Sequence, residues 1–171
     1  MQLGCAPFPP TMRSEIETIR EFYRYNSTVR KKYLRAIWRL PPRQRYKNRG
    51  ASFPSLVDIY MHVLDAYRWW FISVYGNGMA FEQYPLGQRY TKAEAARETV
   101  AVDRLLRKVL REVGPRGLSK TLYWRGDRPF RVSVRNMLLH MVEEEIQHRG
   151  EMNALLWQID IDPPVTGFGE S

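Results

Sequence analysis

The stretch HMVEEEIQHRGEMN, His140 to Asn153, sets three consecutive glutamates between two histidines. Carboxylates and imidazoles exchange protons near neutral pH and ligate divalent metals. On a helix, residues four apart lie one above the other, because each turn takes 3.6 residues. His140, Glu144 and His148 therefore stack along one side, and Met137, Met141 and Met152 turn that side toward a core. Glu143 and Glu145 are each rotated by roughly 100° from Glu144. Glu145 is the nearer competitor for an inward place, since Met141 precedes it by four residues. Only Glu144 is four from both histidines, so Glu144 is the glutamate expected inside. Glu143 and Glu145 are expected to be solvated or paired with arginines such as Arg149.

A buried carboxylate without a partner costs several kcal/mol, so it must meet a cation, a proton or a metal. Glu144 and His148 can both reach one point beside the helix, which supplies two ligands to a divalent ion. A third ligand from a neighbouring helix would complete a facial set. His62 is the one remaining histidine and sits on an inward-leaning position of an earlier amphipathic segment. All three histidines thus fall on expected core faces. The plainer alternative stays open: a hydrogen-bonded Glu–His pair inside a bundle, beside a satisfied core amide at Asn26.

The elements that would position these groups are legible from periodicity and punctuation. Ser14 and Glu17 form a capping box, and Ile16, Ile19, Tyr23, Val29, Tyr33 and Ile37 follow at helical steps until Pro41-Pro42. A second helix is predicted from the SFPS segment at Ser52 to Ser55, with Leu56, Ile59, Val63, Ala66, Trp70 and Ser73 inward, closing at Gly76-Asn-Gly78. Thr91 and Glu94 open a third, which runs to Gly114-Pro115, read as a C-cap glycine followed by a proline. Between Gly117 and Val132 the period fails, and a loose hairpin or extended loop is expected. The last helix begins near Ser133 and continues to about Ile159. The fold class expected is all-α: an antiparallel four-helix bundle with an irregular or short hairpin segment before the last helix. One domain over 1–171 is expected, its core at 14–164, with loosely held ends at 1–13 and 165–171.

Composition narrows the function classes. The chain has 171 residues, of which 44% are hydrophobic, enough for a sizeable core. No run approaches the ~20 apolar residues of a membrane span. The N-terminus lacks the order of a secretory signal, and Cys5 is the single cysteine. A soluble cytoplasmic protein is expected. The formal charge of +9 comes from 27 Lys and Arg spread through the chain. Their densest cluster, Arg39 to Arg49, falls on a proline-broken connection without a nucleic-acid motif, so a nucleic-acid partner is not expected.

The string LLHMVEEEIQHRGEMNALLWQIDIDPP resembles the final helix of the DinB-like (YfiT-like) superfamily of four-helix-bundle metalloproteins. The mark is His148-Arg149-Gly150-Glu151, with further His or acidic positions four and eight residues earlier. SFPSLVDIYMHVLDAYRWWF is similar to the family's second helix, where a histidine precedes a Trp-containing turn and maps onto His62. FYRYNSTVRKKYLRAIWRLPP looks like its first helix, with Asn26 in aromatic surroundings. The similarity runs from about Ser14 to Pro164.

The resemblance implies a divalent metal, most often zinc or nickel, held by His62, Glu144 and His148. Glu144 then stands where many members have histidine, which offsets one positive charge and weakens the ion as a Lewis acid. His140 is implied as a neighbour of the ligands or an alternative ligand, and Asn26 as a second supporting residue. A homodimer and a small-molecule substrate are implied, with a low-molecular-weight thiol such as bacillithiol or mycothiol as co-substrate. The activity implied is that of a thiol-dependent transferase, isomerase or hydrolase acting through a metal-bound thiol or water; no catalytic residue is assigned. Arg149 and Arg68 are candidates to hold acidic groups at the pocket mouth, against the plainer reading as structural ion pairs. The alternatives are a non-catalytic, metal-binding dimeric bundle of stress response and a basic protein associated with nucleic acid.

Overall fold

Local hydrogen bonds set the ends of the helices. In the computed structural model, which describes residues 14–168, helix α1 spans Glu15–Arg39, and the Ser14 N–H donates to the Glu17 carboxylate at 2.9 Å. The proline-rich head with Cys5 and the last three residues lie outside the described residues. Leu40 leaves the helix in an extended conformation, and Pro42–Arg45 make one further turn. Helix α2, Leu56–Arg68, is capped by Ser55, whose Oγ accepts from the Asp58 N–H at 3.2 Å. Helix α3, Lys92–Glu112, starts with the reciprocal Thr91–Glu94 box. Helix α4, Val134–Trp157, starts at Ser133, whose Oγ accepts from the Asn136 N–H at 3.1 Å.

Two local details depart from the sequence reading. Gly114 has φ −79°, so it is not a left-handed cap; Val113 ends α3 with its N–H on the Val109 carbonyl. Past Arg68, α2 continues as a π-helical stretch, Trp69–Val74, in which the Tyr75 N–H reaches back five residues to Trp70. The wider turn carries one extra residue and re-aims the side chains it bears. Here it bears the adjacent Trp69 and Trp70.

Between α3 and α4, a turn at Pro115–Ser119 leads into a hairpin of β1, Thr121–Trp124, and β2, Phe130–Ser133. The strands pair antiparallel with Trp124 opposite Phe130. Those two rings pack on the π-helical tryptophans, Trp124 on Trp69 at 5.5 Å and Phe130 on Trp70 at 5.6 Å. The segment without helical period is therefore a buttress for that turn.

Contacts between named pairs fix the helix directions. Trp38 meets Tyr60, and Tyr23 meets Tyr67 and Phe71, so α1 and α2 are antiparallel. Arg20 reaches Leu110 while Ser27 reaches Asp103, so α1 and α3 are antiparallel as well. Tyr23 donates to the Leu138 carbonyl and Tyr33 to Asn153, which makes α1 and α4 run the same way. Consequently α2 is antiparallel to α4, and α2 and α3 share a direction, so the 75–91 connection must travel back along the bundle. It is pinned along α2. The Tyr84 N–H donates to Asp65 and the Gly87 N–H to Asp58, both at 2.7 Å. Gly87 has φ +75°, which a side chain would resist.

Residues 165–168, expected to be loosely held, lie against α1. Lys32 donates to the Val165 carbonyl at 3.0 Å and Tyr25 to that of Thr166, while Phe168 packs between Phe22 and Tyr25. Among the described residues, no helix is long and apolar enough to cross a membrane.

Candidate metal centre

Antiparallel packing of α2 on α4 brings His62 opposite Glu144 and His148. Glu144 Oε1 lies 3.1 Å from Nε2 of His62 and 3.1 Å from Nε2 of His148. One ligand atom from each residue falls within 4.8 Å of the other two. The side chains of His148, Glu144 and His62 are 5%, 19% and 28% exposed, so the cluster opens from the bundle interior toward solvent. Phe53 stacks on the His62 ring at 3.9 Å and presents its edge to His148 at 5.6 Å, closing one side with an apolar wall.

The other nitrogen of His148 is also engaged. Its Nδ1 is 2.6 Å from Glu151 Oε2, and the Ser52 hydroxyl donates to that same oxygen at 2.7 Å. A carboxylate on Nδ1 fixes the ring's orientation and leaves Nε2 facing the cluster, the arrangement usual around histidine ligands. Burial opposes the imidazolium of His148, but hydrogen bonds to Glu144 and Glu151 outweigh it and raise the group above its ordinary value. The His148 and His62 hydrogen bonds hold Glu144 well below the usual carboxylate range, against a desolvation that would raise it. Glu144 is therefore a carboxylate throughout the physiological range.

The donor set fits a divalent cation. Two imidazole nitrogens and an ionised carboxylate oxygen converge, and metal–ligand distances of about 2.0–2.2 Å put neighbouring ligand atoms on the order of 3.3 Å apart in a tetrahedral site. The 3.1 Å separations are close to that spacing.

The inward glutamate is the main correction. Glu145, read as solvated or paired with arginines, is not solvated: it is 4% exposed in the core, where it accepts from the Tyr67 hydroxyl at 2.6 Å and is paired with an arginine, Arg30, at 3.4 Å. Arg30 is itself buried and also faces Asp103, at 3.7 Å, from which Lys31 is 2.9 Å. Desolvation dominates at Glu145 and raises it, with Arg30 and Tyr67 working against that rise. Glu144 lies one residue round the helix and so faces the α2–α4 seam instead. Of the three histidines, only His148 is buried. His140 is 44% exposed, with its ring 5.2 Å from Trp70 and Nδ1 3.7 Å from Glu143. Eight residues at roughly 100° each leave His140 and His148 about 80° apart around the axis. His140 thus lies beside the cluster without joining it.

Asn26 is fully buried, but its amide has no hydrogen bond to a protein group, so nothing links it to the three ligand candidates. Of the two arginines considered for acidic groups, one is paired and the other is buried with its Nη1 unpartnered. Arg68 pairs with Asp65 at 3.0 Å and lies over Tyr84. Arg149 is buried, with its guanidinium over the Tyr25 ring. In the Arg39–Arg49 cluster, Arg45 and Arg49 donate to the carbonyls of Leu40 and Gln44. Residues given no role from the sequence are Ser52, Phe53 and Glu151. Glu151 carried a readable signal, its position three after His148; Ser52 and Phe53 carried none, because their connection to the site is made across helices.

A bundle with a histidine–carboxylate cluster in the seam between its second and last long helices is a recognisable architecture. The DinB family model matches residues 12–169, and the chain belongs to that family. Its fold is similar to the crystal structure of a DinB-like protein from Bacillus cereus ATCC 10987, with a TM-score of 0.69 at 18% identity over 91% of this chain and 100% of that one. No curated protein matches the chain.

Proposed function

We propose that this protein is a divalent-metal-dependent enzyme, with His62, Glu144 and His148 as the ligands, acting on a small-molecule substrate. The observation that carries the reading is the convergence of both Nε2 atoms on one oxygen of a glutamate that is itself only partly exposed. An ion held by three protein ligands keeps an open position, at which it lowers the pKa of a thiol or water and polarises a substrate oxygen. Zinc and nickel both suit two imidazoles and a carboxylate.

The chain's own groups do the rest. Glu151, held by Ser52, keeps the His148 ring turned toward the cluster. Glu144 brings one negative charge, which leaves a less acidic centre than three neutral imidazoles would and favours transfer or hydrolysis by a nucleophile of higher pKa. Phe53, stacked on the His62 ring, shields one side of the cluster. A low-molecular-weight thiol as co-substrate, a cytoplasmic setting and a homodimer belong to the same proposal. Ile146 and Trp157, 47% and 60% exposed on the outer side of α4, are the apolar groups a second copy would cover.

The test is elemental analysis of protein purified without a metal-affinity tag, beside His62→Ala, Glu144→Ala and His148→Ala. About one equivalent of transition metal in the parent, lost from each variant, is the expected result; assays pairing a thiol with an electrophile then read the activity. A parent that neither contains nor takes up zinc or nickel would reduce the cluster to a structural polar group and remove the enzyme reading with it.

A further inference from the structure

Beside the cluster runs a groove of about 500 Å³, and His62 and Glu144 form one end of it. Its walls are Phe53, Trp69, Trp70, Tyr84 and Leu86. The crossover supplies Tyr84 and Leu86, the π-helical turn supplies the tryptophans, and the hairpin supports those from behind. The remaining lining is Asp65, Ala66, Gln83 and His140.

The charges are unexpected for this chain. It carries 27 Lys and Arg against 18 Asp and Glu, yet among the described residues no lysine or arginine lines the groove, and two carboxylates do. The guanidinium held against two of the lining residues is spent: Arg68 is bound to Asp65 and stacked on Tyr84 at 4.3 Å, and on Phe81 at 5.0 Å. The second oxygen of Asp65 is taken by the Tyr84 N–H. Glu144 is turned to the two histidines. What remains for recognition is aromatic surface, the Gln83 amide and the imidazole of His140. A carboxylate or phosphate entering here would lose water and find no unpaired cation among the described lining residues. A flat apolar ring would lose little and gain the faces and edges of the tryptophans.

From this we infer that the groove binds a small aromatic molecule without negative charge, its ring against Trp70 and its polar, reacting end toward Glu144 and His62. The inference rests on the proposed function for the groove's being a substrate site, and it narrows that proposal: apart from a group that ligates the ion itself, an acidic group gains nothing from this wall.

The test is equilibrium dialysis of the metal-free protein against 2-naphthylmethanol and 2-naphthoate, which share a ring system and differ in charge. Metal is left out so that the carboxylate finds only the protein's own cations. The alcohol is expected to bind at least about tenfold more tightly than the acid, although the protein's net charge favours the acid. Trp70→Ala is expected to remove that binding, and Val100→Ala, exposed on α3 and absent from the groove lining, to leave it intact. Leu86→Arg places the missing cation at an exposed rim position and is expected to raise naphthoate binding at least about tenfold. Naphthoate binding as tight as the alcohol in the parent, or alcohol binding that survives in Trp70→Ala, would overturn the inference. Because these arms need no metal, they stand or fall separately from the elemental analysis.

Discussion

Nδ1 of His148 stands 2.6 Å from Oε2 of Glu151, and both nitrogens of that one ring therefore face carboxylates. Glu151 touches no other member of the cluster, so it acts through His148. Glu151→Gln keeps a side chain of the same length but removes the charge. Partners of this kind are worth about 10–100-fold in metal affinity. Zinc affinity measured by chelator competition is expected to fall by that factor in Glu151→Gln, with helical content unchanged. Ser52→Ala, which removes only the donor to Glu151, is expected to cost less. Equal affinity in parent and Glu151→Gln would show the contact to be incidental.

Proton and metal compete for Nε2 of His148. Its folded-state pKa is raised, so its charge stabilises the metal-free protein fully below the unfolded value of about 6.5. That contribution is lost as pH rises through the folded value. Apparent metal affinity should do the reverse. It should climb about tenfold per pH unit below the folded value and level off above it. Glu144, held low, stays ionised across this range and adds no slope. Titrations of zinc binding between mildly acidic and mildly basic pH would locate the plateau above the ordinary histidine value; a profile flat across that range would contradict the assignment.

Two adjacent glutamates are expected to fail in opposite ways. Glu144→Gln weakens the cluster in a partly exposed seam and should lose metal with a small change in the stability of the metal-free protein. Glu145→Ala leaves the buried Arg30 with Asp103 alone, at 3.7 Å, and breaking a buried pair costs about 3–5 kcal/mol. Thermal unfolding of the metal-free variants and metal content of the folded ones separate the two. A Glu145→Ala protein as stable as its parent would mean that the Arg30 pair contributes nothing.

Gly76 ends the turn that carries Trp69 and Trp70. A Cβ there would lie 2.1 Å from the Ile72 carbonyl oxygen, a backbone atom that can yield only if the π-helical stretch shifts. Gly76→Ala is expected to destabilise the protein by at least about 1 kcal/mol. It should also disturb tryptophan fluorescence, because the Trp69–Trp70 pair moves with the turn. An unchanged unfolding midpoint and spectrum would show that the turn tolerates the substitution.

The sequence by itself determined the four long helices and most of their ends. Ser14 with Glu17, Thr91 with Glu94, and Pro41-Pro42 act through bonds and clashes within a few residues, so they are legible without knowing the fold. It also marked Glu144, His148 and His62 as groups of interest, through spacing and through family resemblance. Tertiary structure decided the rest. Glu144 and Glu145 differ by about 100° on an apolar face that is itself that wide. Only the neighbours choose between them: Arg30 and Tyr67 draw Glu145 into the core, while His62 meets Glu144 at the seam. The link from Ser52 to Glu151 spans 99 residues, and the wall formed by Tyr84 and Leu86 depends on a crossover that returns along α2. Helical periodicity states which side of a segment is apolar. It holds no information about which helix arrives there, in which direction, or with which charge.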